Sequence, residues 1–395
     1  MMENAGKPKS AGAFPAVAAG LLASFVGFAS SFAVVLQGFA AMGASPAEAA
    51  SGLMAVSVAM GLCAIFLSLR HRLPISIAWS TPGAALLASS ATPAAGFAGA
   101  VGAFLLCGAL IVLAGAWKPL GRWVASIPPA LASAMLAGVL LGLCLAPLRA
   151  VAQVPLLAVP VLLAWAAMLR VSRLHAVPVA VGLAAILIAA TTQAPPGGLG
   201  ALWPAPRLVA PVFDAAALIG IGVPLFIVTM ASQNIPGMAV LNANGYRPEA
   251  GKLFRATGIF SLLAAPFGAH AVNLAAITAA ICAGPEAHPD PGRRWIAAVV
   301  AGCGYVVFGL LATAATTLAG LSPPVLIEAV AGLALLGAFA SSLAAALARP
   351  EDREAAAVTF LTTASGLTLF GVSGAFWGLL AGYAITAIAR RRRAS

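Results

Sequence analysis

Apolar runs follow one another along almost the whole chain, broken only by short loops that hold most of the charge. Such runs need lipid, because 62% hydrophobic and 8% charged residues in a 395-residue chain leave too little polar surface to cover a water-soluble globule. A spanning helix takes ~20 apolar residues, and backbone groups in hydrocarbon must bond to one another, so runs of this length predict helices. The period-two alternation of an outer-membrane barrel is absent. The fold class expected is therefore an all-α integral membrane protein.

Fourteen apolar stretches can be delimited, near 15–40, 49–69, 75–91, 95–116, 126–147, 151–169, 175–192, 215–233, 253–266, 268–284, 295–318, 323–347, 354–371 and 373–389. Charge tests the count, since Lys and Arg are retained on the cytoplasmic side. With the N-terminus inside, nineteen of the twenty-one basic residues fall on that side, and only Arg149 and Arg207 fall outside. Fusing 253–284 into one pass would move Arg293, Arg294, Arg349, Arg353 and the terminal arginines to the wrong side. The expectation is fourteen passes with both termini cytoplasmic. Met1 to Ala13, polar and basic and followed by no convincing cleavage site, reads as a cytoplasmic tail. The net charge of +11 is scattered over short loops without interleaved aromatics, which is the pattern of topology rather than of nucleic-acid binding.

Two stretches resist reading as plain helices. The third carries Trp79-Ser80-Thr81-Pro82-Gly83 in its middle, and a proline there cannot continue a helix but suits the first turn of a new one. The tenth opens Pro266-Phe267-Gly268-Ala269-His270-Ala271-Val272-Asn273 before a helical run from Leu274 to Cys282. Each is expected to be an extended piece followed by a half-helix. They occupy corresponding places in a seven-plus-seven division, and an odd repeat inverts its partner, so both half-helices should begin near the midplane with their positive ends facing. An echo supports the repeat: Gln37 followed by Ser45-Pro46-Ala47-Glu48-Ala49, and Gln233 followed by Arg247-Pro248-Glu249-Ala250.

Unpaired N–H groups at such a meeting point bind a small anion, most naturally a carboxylate, without burying a full positive charge. The candidate binding residues are Gln37, Ser80, Thr81, Gln233, Asn234, His270 and Asn273, whose hydroxyl, amide and imidazole groups can orient a ligand with an apolar ring. His270, the histidine placed deep in the membrane, reads either as a ligand or proton-sensitive group or as a structural donor to a backbone carbonyl. His71, His175 and His288 are placed on solvated loops or helix ends. Glu328, just past Pro323-Pro324, reads as a helix N-terminal acid or as a second proton-coupling candidate. Ser232 to Gly237 reads as a helix end or as part of the site. Gly61, Gly138, Gly142 and Gly332 are expected at helix contacts. The five cysteines lie singly in apolar stretches and read as packing residues, so neither a metal site nor a cofactor is expected. There is no HExxH, Gly-x-Ser-x-Gly, Walker A or Rossmann signature, so a transporter is favoured over an enzyme.

Four blocks in order, Ala78 to Leu86, Leu131 to Leu140, Ser232 to Gly237 and Asn273 to Pro285, resemble the benzoate/proton symporter family, and the similarity runs through essentially the whole chain. The resemblance implies proton-driven uptake of benzoate or a related aromatic carboxylate across a bacterial-type inner membrane. It also implies the inverted-repeat fold shared by uracil/proton symporters and sulfate/bicarbonate carriers, in which a core carries substrate against a gate; that fold is compatible with a homodimer and leaves the oligomeric state open. On that template 1–124 and 214–321 form the core and 125–213 and 322–395 the gate. Nucleobase carriers of this fold place acids in passes eight and ten, where this chain has none, which suits an anionic guest. Another organic anion, a nucleobase or passive anion conduction are the alternatives.

Overall fold

The computed structural model describes residues 12–125, 127–191, 203–275, 277–321, 323–369 and 372–394; Lys7 and Lys9 of the basic N-terminal tail lie outside them. Each apolar stretch of the sequence is built around helix. From Phe14 to Thr191 the chain forms α1 (Phe14–Ala41), α2 (Pro46–His71), the strand β1 (Ile77–Trp79), α3 (Thr81–Ser89), α4 (Gly96–Ala116), α5 (Pro129–Gln153), α6 (Pro155–Val171) and α7 (Arg173–Thr191). From Ala215 onward it forms α8 (Ala215–Ala243), α9 (Ala250–Ala264), β2 (Val272–Leu274), α10 (Ile277–Ala283), α11 (Trp295–Leu310), α12 (Pro324–Leu347), α13 (Arg353–Ala364) and α14 (Gly374–Ala394). Among the described residues seven helices are long and apolar enough to cross a membrane, and three shorter apolar helices accompany them.

Boundaries depart from the sequence reading where backbone chemistry intervenes. The helix-end reading of Ser232 to Gly237 is overturned: α8 continues to Ala243, and a π-helical turn over Met230–Asn234 precedes Pro236. In the tenth stretch Leu274 closes the strand and the helix starts at Ile277, not at Leu274. The thirteenth is shorter than expected, because α13 stops at Ala364 ahead of Gly366, whose φ of 69° leaves the right-handed helix. Two further short strands, Thr368–Leu369 and Val372–Ser373, then pair antiparallel before α14.

The helices pack in two groups. α1 to α4 interleave with α8 to α11, and α5 to α7 with α12 to α14. Without a hydrophobic drive between helices in lipid, close backbone approach at small residues holds such groups together. Gly61 on α2 and Gly302 on α11 are reciprocal: a Cβ on the first would stand 2.5 Å from the Gly302 carbonyl, and one on the second 2.6 Å from the Gly61 carbonyl. Gly138 meets α13 at Thr363 and the Phe360 carbonyl, and Gly332 meets α5 at the Leu143 carbonyl. Gly142 is different from its sequence reading, since a Cβ there would touch nothing within 4 Å among the described residues; it lines a cavity instead. The two groups meet along a seam where α1, α3 and α8 face α5, α7, α12 and α14.

Candidate functional site

The centre of the first group is a crossing of two strand-and-half-helix units. β1 and β2 pair antiparallel with Ile77 opposite Leu274, Ala78 opposite Asn273 and Trp79 opposite Val272. Because each strand is followed directly by a half-helix, the antiparallel register sends α3 and α10 away from the ladder in opposite directions. At α3, the Ser80 hydroxyl accepts from Gly83 N (3.1 Å), the Ser80 carbonyl accepts from Ala84 N (2.8 Å), and Pro82 supplies no N–H to satisfy. Gly83 is required by space: a Cβ would come within 2.6 Å of Leu225 and 2.7 Å of the Ser80 hydroxyl.

Polar side chains lock the crossing. Thr229 Oγ1 donates to Ser80 Oγ (2.8 Å) and Trp79 Nε1 to Ser31 Oγ (2.9 Å). Ser76 and Thr278 join hydroxyls at 2.8 Å, and Ser261 Oγ accepts from Val272 N at 2.9 Å. Asn234 Oδ1 accepts from Leu274 N (2.9 Å), so the π-helical turn of α8 is tied to β2. The Asn273 amide, oriented to suit its neighbours, accepts from Ser80 N (2.9 Å) and donates to the Leu274 carbonyl (2.9 Å). His270 Nε2 lies 3.1 Å from the Ser80 carbonyl, which places the ring proton on Nε2; its buried Nδ1 has no partner among the described residues, and the ring edges meet Phe39 and Phe104. Buried polar groups in lipid cost several kcal/mol, roughly, if left unpaired, so each of these bonds helps fix the non-helical backbone at this depth.

Of the seven binding candidates, the structure thus brings Ser80, Asn234, His270 and Asn273 together as fully buried members of the crossing. Thr81, Gln37 and Gln233 are half-buried, at the first residue of α3 and on α1 and α8. Gln37 Oε1 is buried without a partner among the described residues. Glu328 is not at the crossing. It lines a cavity of about 610 Å³ in the seam, with Gln37, Ala88 and Ser89 on one wall and Gly142, Arg149, Ile327 and Glu328 on the other.

Sequence reading missed Thr229, although it sits one helical turn before Gln233 on the same face, and it missed Ser76, Ser261 and Thr278, whose hydroxyls look ordinary until β1 and β2 are paired. His288 was expected on a solvated surface and is 2% exposed, with its Nδ1 accepting from Asp290 N at 3.0 Å. Arg294 bonds the His288 and Ala283 carbonyls there, closing the C-terminal end of α10. Four of the cysteines are buried as packing residues, while Cys303 is exposed.

Comparisons with known proteins place this architecture. The family model described as "Benzoate membrane transport protein" matches residues 11–388. The Escherichia coli K12 "Inner membrane protein YdcO" is 41% identical over 373 residues, covering 93% of this chain and 94% of that protein. The "Benzoate membrane transport protein" of Acinetobacter baylyi is 32% identical over 367 residues, covering 93% of each. Among solved structures, the transmembrane domain of the cyanobacterial bicarbonate transporter BicA superposes with a TM-score of 0.60 at 17% identity, covering 95% of this chain and 96% of that one. Murine Solute Carrier 26 family member A9, an anion transporter in the inward-facing state, gives 0.62 at 13% identity, covering 98% and 69%. These likenesses carry the inverted-repeat core-and-gate fold of membrane transporters. Apolar helices, fold and kinship together make this a multi-pass protein of the inner membrane, and the chain belongs to the benzoate membrane transport protein family.

Proposed function

We propose that the chain moves a small aromatic carboxylate, benzoate or a close analogue, across the inner membrane together with a proton, by movement of a core (1–124 and 214–321) against a gate (125–213 and 322–395). The observation that carries this is the paired strand-and-half-helix crossing in a chain of the benzoate transport family. A half-helix N-terminus inside the bilayer favours an anion, while the small and aromatic surroundings accept a ring. In this reading Ser80, Asn234, His270 and Asn273 build the frame, and Thr81, Gln37 and Gln233 meet the ligand; Ser80 and Asn273 touch the carboxylate once the frame opens toward it. The Ser80 hydroxyl accepts two bonds and keeps its own proton for such an acceptor.

Proton coupling follows from charge. An anion entering a negative-inside cell works against ~2.3 kcal/mol per 100 mV, which one proton moving with it cancels. Of the two proton candidates, Glu328 faces a cavity and His270 is enclosed by aromatic rings. The test is uptake of labelled benzoate by proteoliposomes with and without an inward proton gradient. Saturable accumulation driven by the gradient is the expected result. Flux that neither saturates nor responds to the gradient would replace the symporter by a passive anion pathway, and competition by other carboxylates would define the guest.

A further inference from the structure

Arg149 and Arg207 are the two basic residues that the charge distribution leaves on the external face, against nineteen on the other. Each lines a cavity: Arg149 the seam cavity of about 610 Å³, Arg207 a neighbour of about 540 Å³, and Gly320 borders both. Positive charge on that face is thus confined to the walls of two adjoining hollows. Among the described residues neither the Arg149 guanidinium nor the Glu328 carboxyl has a hydrogen-bond or ion-pair partner, although both side chains line the same hollow. Gln37, half-buried on the opposite wall of the same cavity, brings an amide whose NH2 is the donor it can offer a carboxylate.

We propose that the seam cavity is an external binding site for an aromatic monocarboxylate, in which Arg149 takes the carboxylate, Gln37 donates from the core wall, and Glu328 admits the anion when it carries a proton. This rests on the transport reading above and gives it a proton site. A guanidinium offers a planar fork matched to a carboxylate, and Leu36, Leu143 and Ile327 supply an apolar floor for a ring. The volume lies within the ~300–1,000 Å³ of small-molecule sites. Two carboxylates in one hollow repel, so an anion held by Arg149 and a proton on Glu328 arrive together.

Among the described residues, Arg149 and Glu328 are the charged groups that line this cavity. α5 brings Arg149 and the Cys144 thiol, whose Sγ lies 4.0 Å from the Gly332 carbonyl one turn along α12, and α1 brings only Gln37. The charged groups of α6 and α7 (Arg170, Arg173, His175) sit at the other end of those helices, because Ala158 and Ile188 are what pack beside Leu326. Glu351 and Asp352 of the turn Pro350–Asp352, and Arg353 and Glu354 of α13, follow the far end of α12. The site touches both helix groups, so its occupancy senses the distance between them.

The test uses the full chain with Cys303→Ser and Ala40→Cys, the latter on the cavity wall. Rates of labelling by anionic and neutral methanethiosulfonates are compared with Arg149 and with Arg149→Gln, with and without benzoate, at several pH values, alongside benzoate uptake. Expected are a fall of about tenfold in the anionic-to-neutral rate ratio in Arg149→Gln, partial rescue by Arg149→Lys, and benzoate protection that weakens as pH rises in the parent but not in Glu328→Gln. An unchanged rate ratio overturns the proposal. So does benzoate uptake without protection, or protection that survives Arg149→Gln or keeps its pH dependence in Glu328→Gln. Absence of both uptake and protection, with the rate ratio still dependent on Arg149, sinks benzoate as the substrate and the proton-linked site with it, leaving an anion-attracting hollow.

Discussion

Asn234→Ala separates a residue that builds the frame from one that only meets ligand. Asn234 is fully exclude from solvent, its Oδ1 accepts from Leu274 N at 2.9 Å, and its Nδ2 rests on Met230 Sδ at 3.1 Å. Alanine leaves the Leu274 N–H, on a residue 1% exposed, without that acceptor, and an orphaned buried donor costs roughly 1–3 kcal/mol. Gln233, the next residue back and half-buried, is the control: its truncation should stay within roughly 0.5 kcal/mol of the parent. Equilibrium unfolding in mixed micelles, followed by tryptophan fluorescence, measures both. Asn234→Ala should unfold earlier with or without benzoate, and Gln233→Ala should unfold normally but raise the KM for uptake. The reasoning is refuted if Asn234→Ala matches Gln233→Ala in stability while its affinity for substrate collapses.

Three further outcomes are expected. Gly332→Ala should lower the yield of folded protein, because its Cβ runs into the Leu143 carbonyl and comes within 2.8 Å of Pro147, whereas Gly142→Ala should fold normally; equal yields in size-exclusion profiles would contradict the packing. His270→Gln, which can still donate to the Ser80 carbonyl, should keep the pH dependence of uptake, and a flat profile would give the proton to His270 instead of Glu328. Burial pushes the Tyr246 phenol above its ordinary value of 10.0, with the Arg294 guanidinium pulling it down. Its contribution to stability is therefore complete below that value and lost as pH rises past it, so Tyr246→Phe should show a shallower loss of thermal stability above about pH 10.

Solvent, secondary structure and the inverted-repeat fold were legible in the sequence because lipid permits so few solutions, and apolar runs in it must be helices. Pro82 and the Pro266 to Asn273 segment announced the two broken helices because each contradicts a continuous helix locally. Tertiary structure alone decided what the polar residues do. Ser80, Asn234, His270 and Asn273 face one another only after β1 and β2 pair in one register, and that pairing joins backbone nearly two hundred positions apart in the chain. The same holds for Gly142, identical in type to Gly332 but open to a hollow, and for Arg149, Gln37 and Glu328, which share a cavity only because two helix groups meet at a seam. Hydrophobic pattern fixes where a helix lies in the membrane; which of its faces meets a partner, and at what distance, is set by the packing of the other helices.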